Sequence, residues 1–310
     1  MPILTPDGGP ALALMRGLTV AFLLSISGTL AFRVIVLPPA QKQMTPEIIA
    51  SIDNLLLRWL RLNLSLAALA AIAWFASITS DLAAPRTVLG WAVDAWSVIT
   101  GTDFGRVLSL QLLAVVAACM VLGRASGSAR WRFSFILGTA AVLLEVGHSH
   151  ASAMARGVTY LEISEVLHLW AAAAWLGGLV PLLLVVTSTP RTVAATMARW
   201  FSPMGKLCVI LLAVTASLQG WGLIGTLKAL LHTSYGGVAL LKLALFAVLL
   251  GYAILNRYWL APALMGSNPT RARRWLIGSL ALQTGFGLFV VLAAATLGEL
   301  RPGIDFMMPE

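Results

Sequence analysis

Residues 142–178 read VLLEVGHSHASAMARGVTYLEISEVLHLWAAAAWLGG. Two apolar runs meet at a short polar connection, and one pattern occurs on each side of it, Glu145-Val-Gly-His148 and Glu165-Val-Leu-His168. Extended in both directions, the runs cover 132–151 and 161–186, each long enough for a membrane span, which takes about 20 mostly apolar residues. The stretch is therefore a transmembrane hairpin, and it sets the fold class: an all-α, polytopic membrane helical bundle. Three of the four histidines and three of the twelve acidic residues lie in it. On a helix, residues i and i+3 share a face, so each Glu sits beside its own His.

Working outward, runs of spanning length recur at 14–37, 56–79, 104–122, 203–225, 237–259 and 274–297, giving eight spans with the hairpin. Hydrophobic residues are 59% of the chain and charged ones 11%, with a mean hydropathy of +0.89, outside the range of soluble domains. The segment 82–100 holds Pro85, Arg86 and Asp94, and its Trp91 and Trp96 suit the lipid–water boundary; it reads as an interfacial segment, not a ninth span. No linker or soluble domain interrupts the chain, so 1–310 is one transmembrane domain. MPILTPDGGPALALMRG lacks the basic start and cleavage site of a secretory signal, and the first span is expected to be retained.

The net charge of +9 is spread over short loops. No basic run or aromatic RNA-binding motif accompanies it, which argues against nucleic acid as a partner; membrane lipid is the partner that composition implies. Cys119 and Cys208 fall inside spans, form no CxxC pair, and read as small buried hydrophobes. With both termini outside, fourteen basic residues (Arg33, Lys42, Arg58, Arg61, Arg124, Arg130, Arg132, Arg191, Arg199, Lys206, Arg257, Arg271, Arg273 and Arg274) face the cytoplasm beside two acids, Glu47 and Asp53. Seven basic residues and ten acids remain outside. A two-to-one Lys/Arg bias fixes the orientation: both termini periplasmic.

Counted from the outer boundary at about 1.5 Å per residue, Glu145 lies some two turns deep and His148 one, while Glu165 lies one turn deep and His168 two. If the two spans pack antiparallel, Glu145 comes level with His168, and His148 with Glu165. Four potential ligands would then meet in the outer third of the membrane. His150 and Met154 continue the series into the outer loop, and His232 lies in the next one. Intramembrane ionisable groups are expensive and point to function. Lys242, in the seventh span, is placed to pair with Glu145 or Glu165. Each Glu–His pair is equally readable as a local hydrogen bond, and a Glu–Lys242 pair as a packing contact.

Imidazole suits copper, zinc, iron and nickel, while thioether selects Cu(I). His148-x-His150 followed by Met154 points toward copper, and Met307 and Met308 add possible soft ligands. A di-iron reading needs two further intramembrane carboxylates that the chain does not offer; a bis-histidine haem would use His168 with His148 or His232. No P-loop, HExxH, GxSxG or CPC signature is present, which excludes hydrolytic and ATP-driven classes and argues against an enzyme.

Several stretches together resemble the CopD (PcoD) family of bacterial inner-membrane copper proteins. They are Thr102-Asp-Phe-Gly105-Arg106, Gly147-His148, Glu165-Val-Leu-His168 through Trp175-Leu-Gly177-Gly178, Arg199-Trp-Phe-Ser202, Trp221-Gly-Leu, Tyr235-Gly236 with Lys242, and Asn256-Arg257. The similarity covers about 100–260 well and the first two spans loosely. It implies an eight-span protein of the inner membrane that moves a copper ion (Cu+ or Cu2+) inward or hands it on, with a periplasmic CopC-type copper-binding protein as partner. It carries over to His148, Glu165, His168 and Lys242; Glu145 enters on position alone. The expected mechanism has His150, Met154 and His232 capture the ion and His148 and His168 hold it, with Glu165 and Glu145 as ligands or orienters of the imidazoles. Below that site the soft candidates are Cys119, Met120 and Cys208. The alternatives are a redox metalloprotein or haem protein, and a copper-binding sensor without transport.

Overall fold

The computed structural model describes residues 9–83, 87–124, 127–148 and 159–304, and every regular element among them is helical. We number them α1 (Gly9–Gln41), α2 (Pro46–Ala83), α3 (Val88–Gly101), α4 (Asp103–Arg124), α5 (Ala129–Leu143), α6 (Thr159–Ser188), α7 (Arg191–Leu223), α8 (Leu227–His232), α9 (Ser234–Ala263) and α10 (Pro269–Gly298). Helices α1, α2, α4, α6, α7, α9 and α10 are long and apolar enough to cross a membrane.

The remaining expected span is built differently. Its 15-residue helix α5 tightens into a 3-10 turn, Leu144–His148. In that tighter winding, side chains at i and i+3 eclipse, which stacks His148 directly over Glu145. Within the expected interfacial stretch, Val88–Gly101 form α3, whose 14 residues are too few to cross the membrane. Thr87 caps it, its Oγ1 accepting from Gly90 N at 3.0 Å. Leu89 and Trp96 project from it, 77% and 67% exposed, as an amphipathic segment at the bilayer surface would hold them.

Two helices form the centre. The apolar windows of α1 and α6 are 67% and 72% buried, against 11% for α9 at the periphery. They cross backbone to backbone: a Cβ added at Gly177 would lie 2.0 Å from Leu24 O, and one at Gly28 would lie 2.2 Å from the Gly177 carbonyl carbon. Lipid supplies no hydrophobic drive between helices, so close backbone packing through small residues is what holds such a pair. The other helices pack around this pair and one another and turn Leu69, Leu113, Ile136, Ile210 and Leu243 outward, each more than half exposed. In a membrane protein that outer face meets acyl chains.

Wide π-turns occur at Phe32–Val36 and Asn256–Leu260, just before Pro38-Pro39 and Pro262. Proline cannot donate to the preceding turn, and a wider turn absorbs the lost bond. At one end of the bundle Arg33 holds Asp53 across α1 and α2 at 2.5 and 3.1 Å. At the same end Arg273 donates to the carbonyls of Val186, Thr187 and Thr189, each at 2.9 Å, placing a cation on the negative end of α6. At the opposite end Arg16 reaches Glu299 at 3.2 Å. The start of α1 and the end of α10 therefore share the side that carries His148, as an even number of crossings requires.

Candidate functional site

The two acid–imidazole couples lie at this second end, and they have separate surroundings. Glu145 is 5% exposed. Its Oε1 accepts from Arg16 Nε and Nη2, both at 3.3 Å, and its Oε2 accepts from Gln111 Nε2 at 3.1 Å and faces His148 Nδ1 at 3.2 Å. Arg16 also donates to the His148 carbonyl at 2.9 Å. The other imidazole nitrogen, Nε2, lies 3.4 Å from the Phe104 carbonyl. Trp74 and Phe104 enclose the ring, their centroids 5.2 and 5.4 Å away. Both nitrogens of His148 thus face acceptors inside an aromatic box.

The Thr102-Asp-Phe-Gly105-Arg106 motif explains part of that box. Thr102 Oγ1 accepts from Gly105 N at 3.0 Å and starts α4. Arg106 donates back to Thr100 O at 2.9 and 3.0 Å. Gly105 sits so close to α3 that a Cβ would come within 2.2 Å of Val98 O. The turn made by these contacts presents Phe104 to Trp74 and His148.

The second couple faces α7. Glu165 Oε2 accepts from Gln219 Nε2 at 2.9 Å. His168 Nδ1 lies 2.8 Å from Thr215 Oγ1, and that hydroxyl also reaches Leu211 O at 2.6 Å and Leu212 O at 3.3 Å. With the hydroxyl proton directed to either carbonyl, Oγ1 accepts from the ring, which puts the hydrogen of His168 on Nδ1 and leaves the lone pair on Nε2. Lys242 stands near enough for its charge to act on both Glu165 and His168 without closing an ion pair with either.

One expectation needs correction. Glu145, His148, Glu165 and His168 do not converge into one cradle: among the described residues, no three His, Cys, Asp or Glu side chains come together as a metal-holding group. The reason is electrostatic. Arg16 occupies Glu145, so the first couple is already neutralised and turned toward α1 and α4. The cation of Glu145 is Arg16, and Lys242 faces Glu165 instead. His232 is exposed on α8, its Nδ1 3.0 Å from Lys228 O. His150, Met154, Met307 and Met308 lie outside the described residues. Cys208 is buried, Cys119 half-buried, and the Met120 sulfur accepts from Arg124 at 3.3 Å.

Sequence reasoning missed Arg16, Gln111, Thr215 and Gln219. Each left a signal. Arg16 is a guanidinium near the start of an apolar span, which needs a buried carboxylate partner. Gln111 is a lone amide in α4, and Thr215 with Gln219 makes an i, i+4 polar pair in the mostly apolar second half of α7.

Two family models match this chain and between them take in most of it. Residues 5–161 match the copper resistance protein D-like N-terminal domain, and residues 195–297 match copper resistance protein D. The chain belongs to the copper resistance protein D family. It is 30% identical over 245 residues to the inner membrane protein YebZ of Escherichia coli (strain K12), covering 75% of this chain and 83% of that one. It is 26% identical over 222 residues to copper resistance protein D of Pseudomonas syringae pv. tomato, covering 67% and 71%. It is 30% identical over 145 residues to the copper transport protein CutJ of Bacillus subtilis (strain 168), covering 46% and 26%. No solved structure matches. Membership in this family, with seven long apolar helices, makes the chain a multi-pass inner-membrane protein with a copper-related function.

Proposed function

We propose that this protein passes a copper ion inward across the bacterial inner membrane, with His168 as the imidazole that holds it and Glu165 as its charge partner. One observation carries the assignment: His168 Nδ1 is engaged by the Thr215 hydroxyl at 2.8 Å, an arrangement that orients the ring and presents Nε2 as the donor atom. Imidazoles that ligate metals are commonly oriented in this way by a hydrogen bond at the other nitrogen. Glu165, held by Gln219, lowers the cost of bringing a cation into the low-dielectric layer. Lys242 offsets the Glu165 charge when no ion is present.

His148 has a different task in this reading. With Nδ1 against Glu145 and Nε2 against the Phe104 carbonyl inside an aromatic box, neither ring nitrogen is open to an incoming ion, and that geometry also argues against a bis-histidine haem pairing His148 with His168. The Arg16–Glu145–His148 group instead ties α1, α4, α5 and α10 into a rigid wall beside the copper path. The outer loops, with His232, His150 and Met154, would receive the ion from a periplasmic copper-binding protein of the CopC type. Copper uptake into proteoliposomes tests the reading. His168→Ala should cut the initial rate at least tenfold while the protein stays folded, and a wild-type rate in that variant would overturn the assignment.

A further inference from the structure

A cavity of about 1000 Å³ opens at the opposite end of the bundle, between α6, α7, α9 and α10. Its deep walls are apolar, with Trp175, Leu179 and Leu280 among them. Pro203 interrupts α7 in its lining, and the π-turn Asn256–Leu260 widens α9 there; both irregularities hold the helices apart. Three cations line it, Arg199, Lys206 and Arg257, and no acid does among the described residues. Arg199 and Lys206 lie two turns apart on one face of α7, and both are exposed. Arg257 is fixed across the mouth by its hydrogen bond to Ser202. The Oδ1 of Asn256, also in the lining, is buried without a partner.

We infer that this cavity is a binding site for an anionic phospholipid of the cytoplasmic leaflet, with phosphate on Arg199, Lys206 and Arg257 and acyl chains along the walls of α6, α7 and α10. The charge pattern selects the occupant. An acid-free ring of cations repels a metal ion and attracts phosphate, which guanidinium groups hold strongly. The apolar depth has no use for a soluble anion and suits hydrocarbon, and basic pockets between helices on the cytoplasmic side are a recognised form of lipid headgroup site. Asn256 Oδ1 is an acceptor for a headgroup hydroxyl, which makes phosphatidylglycerol the preferred species.

Native mass spectrometry and thermal melting of the detergent-purified full chain test this, with phosphatidylglycerol, phosphatidylcholine of the same acyl chains, and free glycerol phosphate as probes. Phosphatidylglycerol should be retained at least tenfold better than phosphatidylcholine and should raise the melting temperature. Arg199→Gln/Lys206→Gln, two exposed positions that leave the core untouched, should erase that preference, and Ser202→Ala should weaken it by releasing Arg257. Equal retention of the two lipids, an unchanged preference in the double variant, or equal protection by glycerol phosphate would each overturn the proposal. Loss of the lipid preference with copper uptake intact would separate this site from the copper path.

Discussion

His168 Nδ1 lies 2.8 Å from Thr215 Oγ1, which in turn lies 2.6 Å from Leu211 O, so a hydroxyl proton directed to that carbonyl leaves Oγ1 to accept from the ring. This relay gives the imidazole a defined tautomer inside a helix pair, α6 against α7, without using any ionised group. The first prediction follows from it. Thr215→Val removes the acceptor and keeps the shape, so Nδ1 loses its orienting bond and copper affinity should fall about 10- to 100-fold. Thr215→Ser retains the hydroxyl and should stay within a few-fold of wild type. Competition against a chromophoric Cu(I) chelator checks both, and equal affinities for Val and Ser would remove the orienting role.

Arg16 joins two acids, Glu145 at 3.3 Å and Glu299 at 3.2 Å, with a side chain only 10% exposed. Taking one partner out of a buried ion pair leaves an uncompensated charge and typically costs about 3–5 kcal/mol. Arg16→Met should therefore lower thermal stability in detergent sharply. Arg16→Met combined with Glu145→Gln should recover a large part of the loss. An additive double variant would show that the pair does not act as a unit.

How far the sequence could be read depends on which force acts at each place. The spans were legible because apolar length is a local property, and α3 was legible as too short for a span because Pro85, Arg86 and Asp94 break the run. The 3-10 ending of α5 was not legible, since no residue in Leu144–His148 forbids α-helix and the tightening comes with the contacts of Glu145 and His148. The Glu–His couples were found by spacing, yet their partners were not. Which cation neutralises which carboxylate depends on how helices 129 residues apart in sequence are brought together, and hydrophobic periodicity says nothing about that. The expectation that the two couples share an ion rested on depth alone; depth fixes height along the membrane normal but not rotation about the helix axis.

The α1–α6 crossing provides a third prediction. Gly177→Leu places a side chain where even a Cβ would meet Leu24 O at 2.0 Å, whereas Gly285, inside α10, has nothing within 4 Å of its would-be Cβ. Gly177→Leu should abolish monodisperse protein after detergent extraction. Gly285→Ala should be neutral or slightly stabilising, because Ala exceeds Gly in helix propensity by about 1 kcal/mol. Size-exclusion profiles and melting curves report both, and a well-behaved Gly177→Leu protein would refute the close crossing.

The fourth prediction separates the two histidines. His148 is enclosed by Trp74 and Phe104, with an acceptor against each ring nitrogen and its side chain 5% exposed, so its removal opens a void beside the Arg16–Glu145 pair. His148→Ala should lower the melting temperature by several degrees, whether or not copper is present, and reduce uptake only in proportion to the folded protein lost. His168→Ala removes a donor atom and one hydrogen bond to a hydroxyl that keeps its other partner, so melting without copper should change little while copper-dependent stabilisation disappears. Melting curves recorded with and without Cu(I) place each variant on one of these two patterns. If His148→Ala eliminated the copper-dependent shift without lowering the apo melting temperature, the roles assigned to the two imidazoles would have to be exchanged. The hydrogen bond from His148 to the Phe104 carbonyl, long at 3.4 Å, would then be the contact that yields to the metal.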